Sequence, residues 1–258
     1  MKMKRGYRRG YPVAILVGFE ENRVVLWRIF SKVVKPEKTL WLDGTRNDPK
    51  ILYNFYESIV NALRPTLKEG VRSIILASPA RTEYARKFID HINRHHTWLV
   101  QGSNSAVFSE ITGSAGTPSE VAALTRTPMF LQQISETTSE ETENLIETLE
   151  KYLNAPNQDV LVLYSLEEAE DLIVGSRKPG KPKPEYLILT DKYLSDSSQK
   201  NRIQRLIQIA TNRNVKTRIV AAESPAGLRL AQLGGLVCLA RLEQTTARAN
   251  ASARTKYH

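Results

Sequence analysis

Cysteine is almost missing from this chain: Cys238 is the single thiol in 258 residues. No disulfide can therefore form within the chain, and no cysteine-based zinc motif is present. Cys238 lies in the apolar run GGLVCLARL, where it reads as a small buried hydrophobe rather than a nucleophile or ligand. No stretch approaches the roughly 20 apolar residues of a membrane helix. The basic opening MKMKRGYRRG is not followed by the apolar core of a signal peptide, so a soluble protein of the cytoplasm is expected, with no membrane partner. A Walker lysine loop, a dinucleotide glycine fingerprint, a Gly-x-Ser-x-Gly elbow and a cysteine pair are all lacking. Gly102, Gly113 and Gly116 are scattered among serines without the spacing that cradles a phosphate. No cofactor is implied.

What is present is positive charge, and its placement is uneven. The formal net charge is +10. Lys2, Lys4, Arg5, Arg8 and Arg9 put five positive charges in the first ten residues, and Arg241, Arg248, Arg254 and Lys256 against Glu243 add a net three at the other end. The ends thus hold eight of the ten charges, and the body between them is nearly neutral. Basic arms on a balanced body read as extensions that seek a polyanion, because flexible Lys and Arg gain affinity by releasing counterions from phosphates. RNA is the favoured polyanion; a solubilising tail is the plainer alternative. An anionic membrane surface fits less well, since no amphipathic apolar face accompanies the charge.

The segment from Pro12 to about Ile134 opens with the strands PVAILVGF and NRVVLWRIF and a short run near Val33 and Val34, a meander. The polar segment WLDGTRNDPK follows. Ile51, Leu52, Phe55, Ile59 and Leu63 then recur at three and four, which predicts a helix ending near Leu67 with Gly70 beyond it. VRSIILAS is a buried strand, and Arg81 to His95 a second helix with Tyr84, Phe88 and Ile92 on one face. SNSAVFSEITGSAGTPSEVAAL begins as a Ser- and Gly-rich loop, and Thr117 with Glu120 forms a capping box around Pro118 that predicts a short helix.

Thr138 with Glu141 forms a second capping box, so a new helix with Leu145, Ile146, Leu149 and Leu153 is expected to open a second unit. Strands and helices then alternate: DVLVLY, SLEEAEDLI, the basic linker GSRKPGKPKPE, YLILT, KNRIQRLIQIATNR, TRIVAA, AGLRLAQLG and LVCLARL. This order predicts an αβα sandwich of ordinary domain size. The expected organisation is a basic arm over 1–11, one layered α/β domain over 12–135, a second over 136–243 and a basic flexible tail over 244–258.

Two clusters bear on chemistry. His91 and His95 have the one-turn spacing that grips a metal. Yet no Glu follows His91, no Cys is near, and His95 and His96 stand at a helix end, where imidazolium suits the dipole. No metal site is assigned. Glu20, Glu21, Asp43, Asp48, Glu57, Asp90 and Glu110 offer the carboxylates of a two-metal nuclease centre, but most fall in turns or on helical faces. The residues alone support two α/β domains with basic arms that bind RNA.

Several strings, in order, resemble the central and C-terminal domains of the family of Pelota and the archaeal and eukaryotic class-1 peptide release factors, to which Balon-like hibernation factors are related. They are KILYNFYESIVNAL, VRSIILASPA, the Ser- and Gly-rich stretch before SEVAALTRTP, ENLIETLEKYL, the pair YSLEEAEDL and YLILTDKYL, and AGLRLAQLGGLVCLARL. The resemblance covers roughly residues 11 to 243. It implies a ribonuclease H-like central-type domain followed by an αβα sandwich like the kink-turn-binding ribosomal proteins.

The departures shape the expected function. Release factors carry Gly-Gly-Gln in the loop before the first long central helix, and its glutamine positions water against the peptidyl-tRNA ester. Here that loop reads Asp43, Gly44, Thr45, Arg46, Asn47: one glycine and no glutamine, as in Pelota, which argues against peptide release. Only eleven residues precede Pro12, where the family's decoding domain is expected. Pelota's Pro-Gly-Phe, which contributes to docking a translational GTPase, is replaced by Pro79, Ala80, Arg81, which argues against delivery by such a partner. The expected reading is a non-catalytic ribosome-binding factor, monomeric off the ribosome, that occupies a tRNA-like site in hibernation or rescue. Its expected RNA contacts are Lys2, Lys4, Arg5, Arg8, Arg9, Arg46, Arg177, Lys178, Lys181, Lys183, Arg248, Arg254 and Lys256. The alternatives are a peptidyl-tRNA hydrolase or RNA nuclease of the same family, and an RNA-binding adaptor away from the ribosome.

Overall fold

Strand β1 (Pro12–Phe19) carries a continuous apolar run, six residues of which are buried, so both of its faces must be covered. In the computed structural model, which describes residues 10–102, 105–154, 159–175 and 182–242, it lies at the centre of a five-stranded sheet. β1 pairs antiparallel with β2 (Arg23–Phe30), and β2 antiparallel with β3 (Val34–Trp41). β3 runs well beyond the short piece expected near Val33. Its charged, proline-containing run Lys35, Pro36, Glu37, Lys38 does not read as a strand, because an exposed sheet edge favours such residues as a guard against further pairing. Helix α1 (Pro49–Lys68) follows, then β4 (Ser73–Ser78), parallel to β1.

Helices α2 (Tyr84–His95) and α3 (Thr97–Val100) lead to β5 (Val107–Thr112), parallel to β4. The sequence pattern reads β5 as loop; its Ser109, Glu110 and Thr112 mask an edge strand only partly buried. The sheet order is β3-β2-β1-β4-β5, the ribonuclease H-like arrangement. Each face has its own core. Ile15, Val17, Phe19, Leu26 and Leu76 pack with α1 and α2. Leu16, Trp27, Ile29 and Ile75 pack with Val121 and Leu124 of α4 (Pro118–Leu124) and Phe130 of α5 (Pro128–Leu153). The capping box of α4 is present as expected.

α5 corrects the second expected helix start. One helix runs continuously through Thr138, and it begins at Pro128, whose predecessor Thr127 accepts the Phe130 N–H at 3.2 Å. Thr138 donates its hydroxyl to the Ile134 carbonyl at 2.7 Å instead of capping, a local bond that Thr makes within helices. Glu141 turns away to accept the Arg72 N–H at 3.2 Å and the Ser73 hydroxyl. The chain divides into two compact units, Met1–Glu147 and Thr148–His258.

In the second unit, β6 (Val160–Leu163), α6 (Leu166–Gly175), β7 (Lys183–Thr190), α7 (Asp191–Asp196), α8 (Lys200–Asn212), β8 (Lys216–Val220), α9 (Pro225–Gln232) and β9 (Leu236–Arg241) follow in order. Their sheet runs β6-β9-β7-β8, with β7 and β8 parallel and β9 antiparallel to both neighbours. Five consecutive residues of β9, Leu236 to Ala240, are fully buried, so layers cover both faces of this mixed sheet. β7 begins at Lys183, inside what sequence reads as a linker. α7, too short for a periodic signal, is an addition. Among the described residues no helix is long and apolar enough to cross a membrane.

Candidate functional site

The loop between β3 and α1 is built from both ends. Leu42, buried, donates its N–H to the Asn22 carbonyl at 2.8 Å, which ties the loop's start to the β1–β2 turn. Asp48 closes the other end: Oδ1 accepts the N–H groups of Lys50 at 2.8 Å and Ile51 at 3.2 Å, and Pro49 takes the first helical position. Between them Gly44 holds φ 129° with Ile51 beneath it, where an added Cβ would meet Ile51 Cδ1 at 2.6 Å. Asp43, Gly44, Thr45 and Asn47 are exposed at the tip.

Arg46 is the exception. Its side chain folds inward, donating Nε to the Glu21 carbonyl at 2.7 Å and Nη2 to the Glu20 carbonyl. The guanidinium stands 3.9 Å from the Tyr84 ring centre and 5.7 Å from that of Phe55. Burial draws its pKa below the ordinary value, against the attraction of Tyr56, Tyr84 and Glu21; an arginine nonetheless stays charged. Among the described residues Arg46 Nη1 and Tyr56 Oη are buried without a hydrogen-bond partner. Named from sequence for RNA, Arg46 is placed where it shapes the loop. No sequence pattern marks this, because Tyr84 and the β1–β2 turn are distant in the chain.

Of the other basic residues named from sequence, Lys183 is exposed at the start of β7, in register with Arg241 of β9. Lys2, Lys4, Arg5, Arg8, Arg9, Arg177, Lys178, Lys181, Arg248, Arg254 and Lys256 lie outside the described residues. Several described arginines are engaged by carboxylates: Arg28 by Glu37 at 2.7 Å and Glu69 at 2.8 Å, Arg202 by Glu170 at 2.5 Å and Arg229 by Glu150 at 2.7 Å. The turn after β4, Pro79 to Thr82, is held by the Thr82 hydroxyl donating to the Pro79 carbonyl at 2.7 Å, with exposed Arg81 at φ 64°.

The carboxylates weighed as a nuclease centre are dispersed among separate tasks. Glu20 pairs with Arg23, Glu110 with Arg86 at 3.4 Å, and Asp48 caps α1. Glu57 instead faces two imidazoles, those of His91 and His96. The spacing considered in the sequence joined His91 to His95, but His95 is exposed and His96 is buried. Burial pushes His91 below the ordinary histidine range, against the hydrogen bond that it donates to Glu57. Burial alone would raise the Glu57 carboxyl; hydrogen bonds from His96 and His91 outweigh it and hold that group below its usual range.

No family model matches the sequence. A curated relative, the protein pelota homolog of Hyperthermus butylicus, is 24% identical over 247 residues, an alignment that covers 93% of this chain and 63% of the relative. Among solved structures, S. cerevisiae Dom34 is similar at TM-score 0.47 and 18% identity, over 90% of this chain and 63% of that one. A ribosome-bound archaeal Pelota gives TM-score 0.49 at 14% identity, over 89% and 62%. By sequence, then, the chain is similar to a Pelota protein and spans somewhat less than two thirds of that protein's length.

Proposed function

We propose that this chain is a non-catalytic ribosome-binding translation factor of the Pelota and release factor type, occupying a tRNA-like site in ribosome hibernation or rescue. The observation that carries this reading is the Pelota match running through both units. S. cerevisiae Dom34 is described as a translation termination-like factor involved in RNA quality control and interacting with Hbs1, and an archaeal Pelota is described as ribosome-bound with ABCE1; the ribosome as partner is our extension to this chain. The loop at the release-motif position supports the non-catalytic part. It offers one glycine and no glutamine, and its arginine is committed to the protein interior. Neither a backbone able to crowd an ester nor the family's water-orienting side chain is there. Pro79, Ala80, Arg81 in place of Pro-Gly-Phe speaks against delivery by a translational GTPase.

In this reading the factor works in the cytoplasm, and its RNA contacts are the arm from Lys2 to Arg9, the group Arg177, Lys178, Lys181 and Lys183, and the tail residues Arg248, Arg254 and Lys256. Arg46 is left to hold the loop. The test is co-sedimentation with ribosomal subunits at rising salt. Comigration at low salt is expected. Deleting residues 2–9 should make the plot of log affinity against log salt shallower, by about 0.7–0.9 for each phosphate that the arm neutralises. Absence of comigration at low salt rejects the proposal, and a single non-ribosomal RNA recovered by crosslinking favours an adaptor. Release of labelled peptide from peptidyl-tRNA on ribosomes, abolished by changes in Gly44 to Asn47, would establish the hydrolase instead.

A further inference from the structure

Glu57 is distant in sequence from His91 and His96, yet all three meet at one point. Glu57 comes from α1, His91 from α2 and His96 from the residue that ends α2, and the meeting follows from both helices packing on the same face of the first sheet. The two imidazoles present Nε2 to the same carboxylate oxygen, Glu57 Oε1, at 3.0 Å from His91 and 2.6 Å from His96. All three donor atoms lie within 4.8 Å of one another. Both histidines are 7% exposed, whereas Glu57 is only partly buried. The cluster is thus closed by protein on the imidazole side and reachable along the carboxylate.

Two imidazoles and one carboxylate form a mixed nitrogen and oxygen donor set. Zinc in a four-coordinate site takes His nitrogens at about 2.0–2.1 Å and carboxylate oxygens at about 2.0–2.2 Å, which places donors roughly 3.4 Å apart. To admit such an ion the two contacts to Glu57 need to open by less than about 1 Å, and the imidazole pair, whose donors lie within 4.8 Å, needs to close by at most about 1.4 Å. Magnesium and calcium prefer all-oxygen shells, so the donor set selects against them. The surrounding rings constrain the imidazole planes: Tyr53 stands edge-on to His91 at 5.1 Å between centroids, and Trp98 edge-on to His96 at 6.3 Å.

We propose that Glu57, His91 and His96 bind a first-row divalent cation, Zn2+ by preference, with the remaining coordination position on the Glu57 side taken by water or an external donor. The ion joins α1 to the end of α2. His95 is outside the site: it is exposed, and its ring stands tilted 4.8 Å from that of His91. The competing account is a purely hydrogen-bonded trio, a carboxylate accepting two N–H groups, which has no dependence on metal.

The test uses the full chain without a histidine tag, stripped with chelator and titrated with Zn2+ by calorimetry and with Co2+ by visible absorption. Expected are uptake of one ion per chain, a rise in Tm with Zn2+, and intense Co2+ bands of a four-coordinate ion with nitrogen ligands. Glu57→Gln and His96→Asn should each weaken uptake at least about tenfold, since even partners beyond the ligand shell cost that much. His95→Ala should leave it unchanged. No saturable uptake, or uptake indifferent to Glu57→Gln and His96→Asn, overturns the proposal. Should a variant fail to fold, the Co2+ spectrum of the unaltered chain decides, because a weak six-coordinate spectrum or none also overturns it. Ribosome binding is read separately, so failure of one proposal leaves the other standing.

Discussion

The guanidinium of Arg46 lies 3.9 Å from the centre of the Tyr84 ring while its Nε donates to the Glu21 carbonyl at 2.7 Å, so one side chain joins the loop before α1 to the β1–β2 turn and to α2. A planar group is needed for both contacts at once, and a lysine supplies neither the fork nor the flat face. Arg46→Ala should therefore destabilise the first unit by about 2–3 kcal/mol in urea unfolding, because charged hydrogen bonds and ring stacking disappear together. Arg46→Lys should recover less than half of that. Hydrogen exchange at residues 43–47 should rise in both; unchanged exchange would show that the loop keeps its shape without this arginine.

Glu141 carries a similar role on α5. It is 5% exposed and accepts from the Arg72 N–H and the Ser73 hydroxyl at the entry to β4. Glu141→Ala should cost about 2–3 kcal/mol, because donors within the fold lose a charged acceptor. Glu141→Gln, which keeps one acceptor, should cost less. Chemical denaturation of the two variants beside the parent chain gives the comparison, and equal stability of all three would contradict the role assigned here.

Much of this fold is legible in the sequence where burial leaves a periodic trace. β1, β4 and β9 announce themselves as β-branched and apolar runs, and α1 by Phe55, Ile59 and Leu63 at helical spacing. What escapes are elements whose stability comes from neighbours. β3 is an edge strand with exposed Lys35, Pro36, Glu37 and Lys38, and β5 carries Ser109 and Glu110. Neither alternates cleanly, because β3 is exposed along most of its length and β5 is buried only at Val107 and Ile111. Thr138 and Glu141 have the spacing of a cap but lie within a helix, since a threonine hydroxyl can bond back to the preceding turn. The meeting of Glu57 with His96 is likewise invisible in sequence: the two residues are 39 apart, and only the packing of two helices on one sheet brings them together.

Gly18 is the tightest backbone approach in the first sheet to bear on stability. A Cβ there would stand 2.2 Å from the Ala115 carbonyl oxygen, the same oxygen that accepts the Trp27 indole N–H at 2.7 Å. Backbone, not a flexible side chain, has to move, so Gly18→Ala should cost at least about 3 kcal/mol by displacing that segment and opening the indole hydrogen bond. Reduced Tm together with a changed Trp27 fluorescence spectrum is the expected signature. A variant with parental Tm would mean that the 115 segment yields freely.

Cys238, fully buried in β9, has its thiol pushed by burial from an ordinary 9.0 up to about 12. Because the folded pKa lies above the unfolded one, the protonated thiol favours the fold; its contribution is complete below about pH 9 and is lost as pH rises towards about 12. Between those limits the second unit should lose about 1.4 kcal/mol of stability per pH unit from this group, and Cys238→Ala should remove that alkaline slope while costing some packing at neutral pH. Reactivity follows the same logic. The thiolate is the nucleophile, so iodoacetamide at pH 8 should label the native chain only at the rate of unfolding and the urea-unfolded chain at once. Rapid labelling of native protein would place Cys238 at the surface, against the six-residue run of β9 in which every residue but Arg241 is buried.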